Sequence, residues 1–346
     1  MTIQIAQRSA LELPLDFVTE RIAFLARTGA GKSGGMRVLA EEFIAAGQFV
    51  IHLDLRAGDA WGIRAGGTGP GLPVMVMGGE NADIPLQPSS GEYVAKLLAK
   101  ERISTVLDLS DFSKADAVRF VTAFAHAFYR ANRDVVHLFI DEADVVAGER
   151  FFDPKCLEAI QYIQTKGRKR GIGVTVSTQR TAIINKTVLS QSGTYIVMQT
   201  TGARDLAAIR EMLQYVADKK TVDEIIGALP TLETREAFVY SPQLIGGAPK
   251  RIKFKSFQTF DSMRTPRPGE ARQKPKSLAS IDLGKVEADM AATIEEAKAN
   301  DPQLLKAEVS RLEKIHELAQ LNGDADVSQL VTADSRGVTA SPLLFD

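Results

Sequence analysis

The chain has little with which to crosslink itself or chelate a metal. Cys156 is the only cysteine in 346 residues, so no disulfide can close within one chain and a reducing compartment is expected. The thiol reads as a small buried apolar group rather than a nucleophile. The four histidines, His52, His126, His137 and His316, stand at no metal-ligand spacing and are expected to be structural. No apolar run reaches the roughly 20 residues of a membrane span. The opening residues, MTIQIAQRSALELPLD, lack the basic start and apolar run of a secretory signal. The expected setting is cytoplasmic, with no membrane partner. Excess charge is missing too: 42 Lys and Arg stand against 43 Asp and Glu, a net charge of −1. Composition alone therefore makes no case for a polyanionic partner. No internal repeat is found.

What is present is ordinary globular material, 45% hydrophobic and 25% charged, enough to bury a core without staples. Charge is uneven along the chain. Nine Lys or Arg fall between Lys250 and Lys276 against Asp261 and Glu270, and a smaller basic knot, KGRKRG, spans 166–171. Such a patch can attract a polyanion or can simply be solvated.

From residue 21 short apolar runs alternate with helical periodicity. Strands are predicted at 21–26, 49–55, 72–79, 104–110, 135–141, 172–179 and 194–200. Helices are predicted at 31–47, 91–101, 114–132 and 154–169, with NKTVLSQ forming a further one. The alternation argues an α/β fold with a mostly parallel central sheet covered by helices on both faces. Ligands of such sheets sit at the carboxyl ends of the strands. The expected core is 1–245. A basic Pro/Gly-rich connector follows at 246–276, with one short strand at 251–260. A helical segment is expected at 277–321, where Leu304, Leu305, Val309, Leu312, Ile315 and Leu318 form an amphipathic stripe. A mobile tail is expected at 322–346.

Between the first predicted strand and its helix lies ARTGAGKS, residues 26–33. Strand, glycine-rich turn, Lys-Ser and helix in that order make a phosphate-binding loop. Thr28, Gly29, Ala30, Gly31, Lys32, Ser33 and Gly34 are the expected nucleotide-binding residues. The glycines let successive N–H groups turn toward phosphate. Lys32 reaches the β- and γ-phosphates, and Ser33 holds Mg²⁺. The helix start adds a dipole that favours anions. Ala26 replaces the glycine that opens the usual pattern, and its methyl fits a strand end. VVHLFIDE then places Asp141 and Glu142 at another strand tip, Asp141 to orient Mg²⁺ through water and Glu142 to activate the attacking water. Asp144 can assist or cap the next helix. VTVSTQ ends on Gln179, placed to report the γ-phosphate, and Asp54 is a further strand-tip carboxylate facing the site or a polymer. Arg168 and Arg170 stand just before the Gln179 strand, placed either to meet a neighbouring subunit's γ-phosphate or as a solvated helix end.

From about Leu13 to Tyr240 these residues resemble the HerA/FtsK superfamily of P-loop ATPases. The likeness rests on ARTGAGKS, HLDLRAGDAWGIR, LFIDEAD and above all KGRKRGIGVTVSTQRTAIINKTVLSQSGTYIVMQT. LPTLETREAFVYSP is similar to the closing strand segment of HerA-like ATPases. The resemblance implies a RecA-like core and puts Arg168 at the arginine finger and Gln179 at the sensor. It implies ATP and Mg²⁺ as ligands, a homo-oligomer, expected to be a hexamer, and double-stranded DNA threaded through its pore. A nuclease or other effector is the implied partner, in repair, antiphage defence or phage DNA handling. The alternative is an oligomeric ATPase that scaffolds and regulates an effector with little translocation. Neither the N-terminal barrel of archaeal HerA proteins nor the winged helix of FtsK is expected here. RAGDAWGIRAGG, with Arg56, Trp61 and Arg64, is a candidate pore loop, Trp61 being equally suited to the core. A GTPase is disfavoured, since NKTV lacks the aspartate that guanine recognition needs.

Overall fold

Strands buried on both faces have no solvent side, and three segments here, VHLFID, IGVTVST and TYIVM, are buried at every position. The computed structural model describes residues 2–7, 11–150 and 153–264, with single helical positions at 284, 288, 292 and 310. The chain divides into two units, Met1–Met290 and Ala291–Asp346, and the strands among the described residues belong to the first. The segments expected to be helical at 277–321 and mobile at 322–346 lie, but for those single positions, outside the described residues.

In chain order the elements are β1 (Thr2–Gln4), β2 (Glu12–Pro14), β3 (Arg21–Leu25), α1 (Lys32–Ala45), β4 (Phe49–Asp54) and β5 (Met75–Met77). Then come α2 (Gly91–Glu101), β6 (Thr105–Asp108), α3 (Lys114–Ala131), β7 (Val136–Asp141), α4 (Pro154–Lys166) and β8 (Ile172–Thr178). The chain continues through α5 (Lys186–Ser190), β9 (Thr194–Met198), α6 (Ala203–Leu213), α7 (Lys219–Ala228), β10 (Glu236–Ser241) and β11 (Gly246–Lys253). Nine strands form one sheet in the order β11-β10-β9-β3-β8-β7-β4-β6-β5. From β9 to β5 every pairing is parallel, and β10 and β11 add antiparallel at one edge. The expected α/β fold with a mostly parallel sheet is what the chain forms.

Helix starts carry their own signals. Ser113 accepts from Asp116 N–H ahead of α3, and Asp153 accepts from the N–H groups of Lys155 and Cys156 ahead of α4. Along α3, Phe120, Phe124 and Phe128 follow the i, i+4 spacing and stack with centroids 6.0 and 5.4 Å apart. Cys156 is buried, and burial pushes its thiol up to about 11, which fits an inert apolar group.

The strand expected at 251–260 is displaced. Gly246–Lys253 pairs with β10, Glu236 opposite Lys253 and Ala237 opposite Ile252. The stretch read as a Gly/Pro connection is thus an edge strand, the position in a sheet where Pro249 is tolerated. Beyond it, residues 254–262 form a strap across α1. The Glu41 carboxylate accepts the Gln258 N–H at 2.9 Å and the Thr259 N–H and hydroxyl at 2.8 and 2.7 Å. Arg37 donates to the Phe260 and Asp59 carbonyls at 2.8 and 2.7 Å and to the Ser262 hydroxyl at 3.0 Å. The loop after β4 grips the same strap, since Phe260 N–H donates to the carbonyls of Gly62 and Ala65.

Buried His137 joins β7 to its surroundings. Its Nδ1–H donates to the Val18 carbonyl and its Nε2 accepts from the Thr175 hydroxyl, both at 2.7 Å. Burial lowers its pKa to about 4, the Val18 bond working the other way. Unfolded, the ring titrates near pH 6.5. Between about 6.5 and 4 the unfolded chain therefore binds a proton that the folded chain does not, and stability falls by about 3 kcal/mol as pH drops through that window. Asp59, raised to about 7 by burial and then by Asp54, contributes a slope of opposite sign. The informative quantity is the difference between wild type and His137→Gln. In urea titrations from pH 7 to 4.5 the variant should lack the His137 share of the acid loss, and equal slopes would count against a buried neutral imidazole.

Candidate nucleotide site

The carboxyl ends of β3, β8 and β7 lie side by side, because β8 sits between the other two in the sheet. The turn after β3 carries Gly29 at φ +80° and Gly31 at φ +96°, backbone conformations that side chains other than glycine rarely adopt. Gly31 is also confined: a Cβ there would stand 3.1 Å from Arg235 Cγ and 3.2 Å from the Arg235 backbone nitrogen. The turn is anchored by Arg27 N–H to the Gln199 carbonyl at 2.9 Å and Ala30 N–H to the Arg27 carbonyl at 3.2 Å. Immediately after it α1 begins at Lys32, with Ser33 and Gly34 in its first turn. Ala26, at the end of β3, is buried, so its small side chain suits the position.

Lys32 folds back from the helix start into the space at the tips of β7 and β8. Its Nζ donates to Asp141 Oδ1, stands 3.0 Å from Glu142 Oε1 and donates to the Ser177 hydroxyl at 3.3 Å. The same Asp141 oxygen accepts the Ser177 hydroxyl and, at 2.8 Å, the Glu142 N–H. Gln179 Nε2 donates to Glu142 Oε1 at 2.5 Å, and Thr28 donates to Gln179 Oε1. Residues from three loops thus close into one polar chain, Thr28–Gln179–Glu142–Lys32–Asp141. Burial opposes charge on both members of the central pair. It would raise the Asp141 carboxyl, but Lys32, His52 and Ser177 outweigh it and hold the group below its ordinary value. It would lower the Lys32 ammonium, but Asp141 and Glu142 more than offset it. The pair is a buried ion pair.

Glu142 is held by its backbone as well as its partners. At φ 52° and ψ 48° it is one of few non-glycine residues in the left-handed region, a strained placement that points to function more often than to packing. Asp144 accepts from the Thr178 hydroxyl at 3.0 Å and has Arg56 Nη2 at 3.9 Å. It ties the turn after β7 to the tip of β8 instead of capping a helix.

Other expectations are corrected. Asp54 spends its carboxylate on the following loop, accepting the N–H groups of Ala57, Asp59 and Ala60 at 2.9, 2.9 and 3.1 Å. It shapes that loop, in register with Asp141 on the neighbouring strand. Arg64 is buried and paired with Asp83, and half-buried Trp61 packs on Phe260 with centroids 5.5 Å apart. Of Arg56, Trp61 and Arg64 in the candidate pore loop, only Arg56 is exposed. Among the basic residues after 245, Arg251, Lys253 and Lys255 pair with Glu236, Glu233 and Glu42.

Arg168 is not brought to the site. It lies exposed in the turn Gly167–Arg170 that precedes β8, while Gln179 follows the other end of that seven-residue strand. At about 3.3 Å per residue the two ends are roughly 20 Å apart. Arg170 is occupied, over the Tyr129 ring at 5.1 Å and donating to the Arg130 carbonyl. Ser177, Arg27 and Arg235 touch the loop or its partners and were not predicted as site residues. Ser177 sits two residues before Gln179 in a strand that reads as apolar, and its polar side chain was the available signal.

No family model matches the chain. A probable helicase of Methanocaldococcus jannaschii, MJECL08, is 29% identical over 167 residues, 48% of this chain and 27% of the relative. The match therefore spans little more than a quarter of that protein. Among solved structures, the bacterial conjugative coupling protein TrwBdeltaN70 superposes with a TM-score of 0.52 at 12% identity, over 76% of this chain and 90% of that one. The genome packaging NTPase B204 of Sulfolobus turreted icosahedral virus 2 has a TM-score of 0.47 at 17% identity, over 68% and 97%. The likeness to the coupling protein is one of fold, a mostly parallel sheet among helices. No helix among the described residues is long and apolar enough to cross a membrane.

Proposed function

We propose that the chain is an ATP-hydrolysing motor of the HerA/FtsK type that moves on double-stranded DNA as a ring, with six copies the expected number, together with a nuclease or other effector. The observation that carries this reading is the convergence of Lys32, Asp141, Glu142 and Gln179 beside the glycine turn at the carboxyl ends of β3, β7 and β8. The residues suit a Mg²⁺-nucleotide. The turn holds Gly29 and Gly31 at positive φ and packs Gly31 tightly on Arg235, α1 opens toward the turn, and Ser33 and Asp141 supply the hard oxygen donors that Mg²⁺ prefers. When bound, the metal neutralises charge on the β- and γ-phosphates.

The chain's own residues would then divide the work. Lys32 places positive charge at the β- and γ-phosphates. Glu142 holds and deprotonates the attacking water, its direction set by the left-handed backbone at 142. Gln179, bonded to both Thr28 and Glu142, links the loop to the base. Arg168 is too far to serve its own site, and its exposure supports a role on a neighbour's γ-phosphate. The match to a probable helicase and the fold shared with a conjugative coupling protein support a DNA substrate.

One observation favours a second reading, an oligomeric ATPase that scaffolds an effector: Arg251, Lys253 and Lys255 are neutralised within the chain, which leaves fewer cations for phosphate. ATPase rates with duplex DNA, single-stranded DNA and none separate the two. A motor is stimulated several-fold by duplex, and the stimulation fades between low and moderate salt as counterions compete. A rate indifferent to duplex at every salt concentration would remove translocation from the proposal and leave the scaffold.

A further inference from the structure

We infer that Phe257 and Arg235 form the nucleoside end of the site, Phe257 presenting its ring to the base and Arg235 its guanidinium to the α-phosphate. This rests on the reading of 26–33 as a nucleotide loop. In such a loop the backbone cradles the α- and β-phosphates and the lysine reaches the β- and γ-phosphates. The γ end then lies toward Asp141 and Glu142, and the nucleoside leaves on the other side, over the first turn of α1. That turn carries two glycines. Gly35 faces the core, where a Cβ would stand 2.7 Å from Phe24. Gly34 faces the strap, and the nearest atom to a Cβ there is Phe257 Cε1 at 3.6 Å. Phe257 is only half-buried, although Arg37 stands over its ring at 5.5 Å. A partly open aromatic ring at this position has the chemistry to stack on a base.

Arg235 approaches the loop from the other direction. It adopts φ +69°, which arginine rarely does. Its N–H donates to the Ala30 carbonyl at 2.9 Å, and its guanidinium is held by the Ser256 hydroxyl at 2.8 Å, one residue before Phe257. Among the described residues no carboxylate pairs with it, whereas Arg251, Lys253 and Lys255 nearby in sequence are each paired. A strained arginine tied to the phosphate loop and lacking an acid is matched to a phosphate oxyanion. Contacts bring these two residues to the loop from more than 200 positions away in the chain.

The test compares equilibrium binding of ATP and of inorganic tripolyphosphate, each with Mg²⁺, to the full chain. The wild type is expected to prefer ATP by about tenfold or more. Phe257→Ala should bring ATP down to the affinity of tripolyphosphate, itself unchanged, and Phe257→Trp should keep the preference. Phe257→Leu, which keeps apolar bulk against Gly34, should lose it as the alanine does. Arg235→Gly, which relaxes the backbone, should weaken ATP several-fold without lowering the thermal midpoint. An undiminished ATP preference in both Phe257→Ala and Phe257→Leu, or wild-type ATP affinity in Arg235→Gly, overturns the inference alone. Failure of the wild type to bind either ligand overturns the phosphate-loop reading, and this inference with it.

Discussion

Glu142→Gln is expected to slow ATP turnover by about 10²–10⁴-fold, the usual share of a general base, while ATP affinity stays within a few-fold of wild type. The substitution keeps the size and shape of a side chain whose surroundings are closely set. Glu142 stands 3.0 Å from Lys32 Nζ and accepts from Gln179 at 2.5 Å, on a backbone held at φ 52°. What glutamine cannot do is take a proton from water. It also removes one of two carboxylates facing Lys32, yet Asp141 remains, so the lysine keeps a buried counter-charge. Single-turnover hydrolysis measured beside equilibrium binding separates the two effects. A variant that hydrolyses within tenfold of wild type would remove Glu142 from the chemistry and turn attention to Asp144, the other buried acid after β7.

Arg168→Ala should lower turnover by about 10³-fold or more, as loss of a trans-acting arginine does in phosphoryl transfer, with little change in stability because the side chain is exposed. The distinguishing measurement is mixing. A protomer carrying Arg168→Ala keeps its Glu142, and one carrying Glu142→Gln keeps its Arg168. Where the second donates to the first, a complete site forms. In a randomly assembled equimolar ring of independent sites, about a quarter of the interfaces are of that kind, so mixing should restore up to about a quarter of the wild-type rate. A strictly additive mixture, with mixed rings demonstrated by crosslinking, would falsify the assignment of Arg168.

The parts of this molecule legible in its sequence are those governed by local rules. Apolar runs ending in chemistry, such as LFIDE and VSTQ, gave the positions of β7 and β8 to within a residue or two, because strands buried on both faces are rich in β-branched and apolar residues and their few polar side chains are small or internally bonded. The glycine turn was readable for the same reason, each residue being demanded by backbone geometry. The first part of β11 was missed because residues 246–250 carry no strand signature. Gly246, Gly247 and Pro249 become a strand only through the open edge that β10 offers. Asp54 looked like a site residue because it shares the strand-tip position of Asp141, and only the three-dimensional loop reveals that its oxygens are already taken. Arg235 and Phe257 could not have been found locally, since Arg235 meets the loop from the residue before β10 and Phe257 from the strap, each more than 200 residues along the chain.

That strap bears on how α1 can move. Arg37 and Glu41 lie one turn apart on α1, and both are buried in bonds to residues 258–262 and to the loop after β4. An α-helix is stiff over so short a length, and close-packed contacts have little give. Between its first turn and its grip on the strap, α1 therefore has almost no compliance. A shift of a few tenths of an ångström at Lys32 would not be absorbed inside the helix; it would arrive at residues 258–262 as displacement, with α1 serving as a push-rod between the glycine turn at 29–31 and the strap.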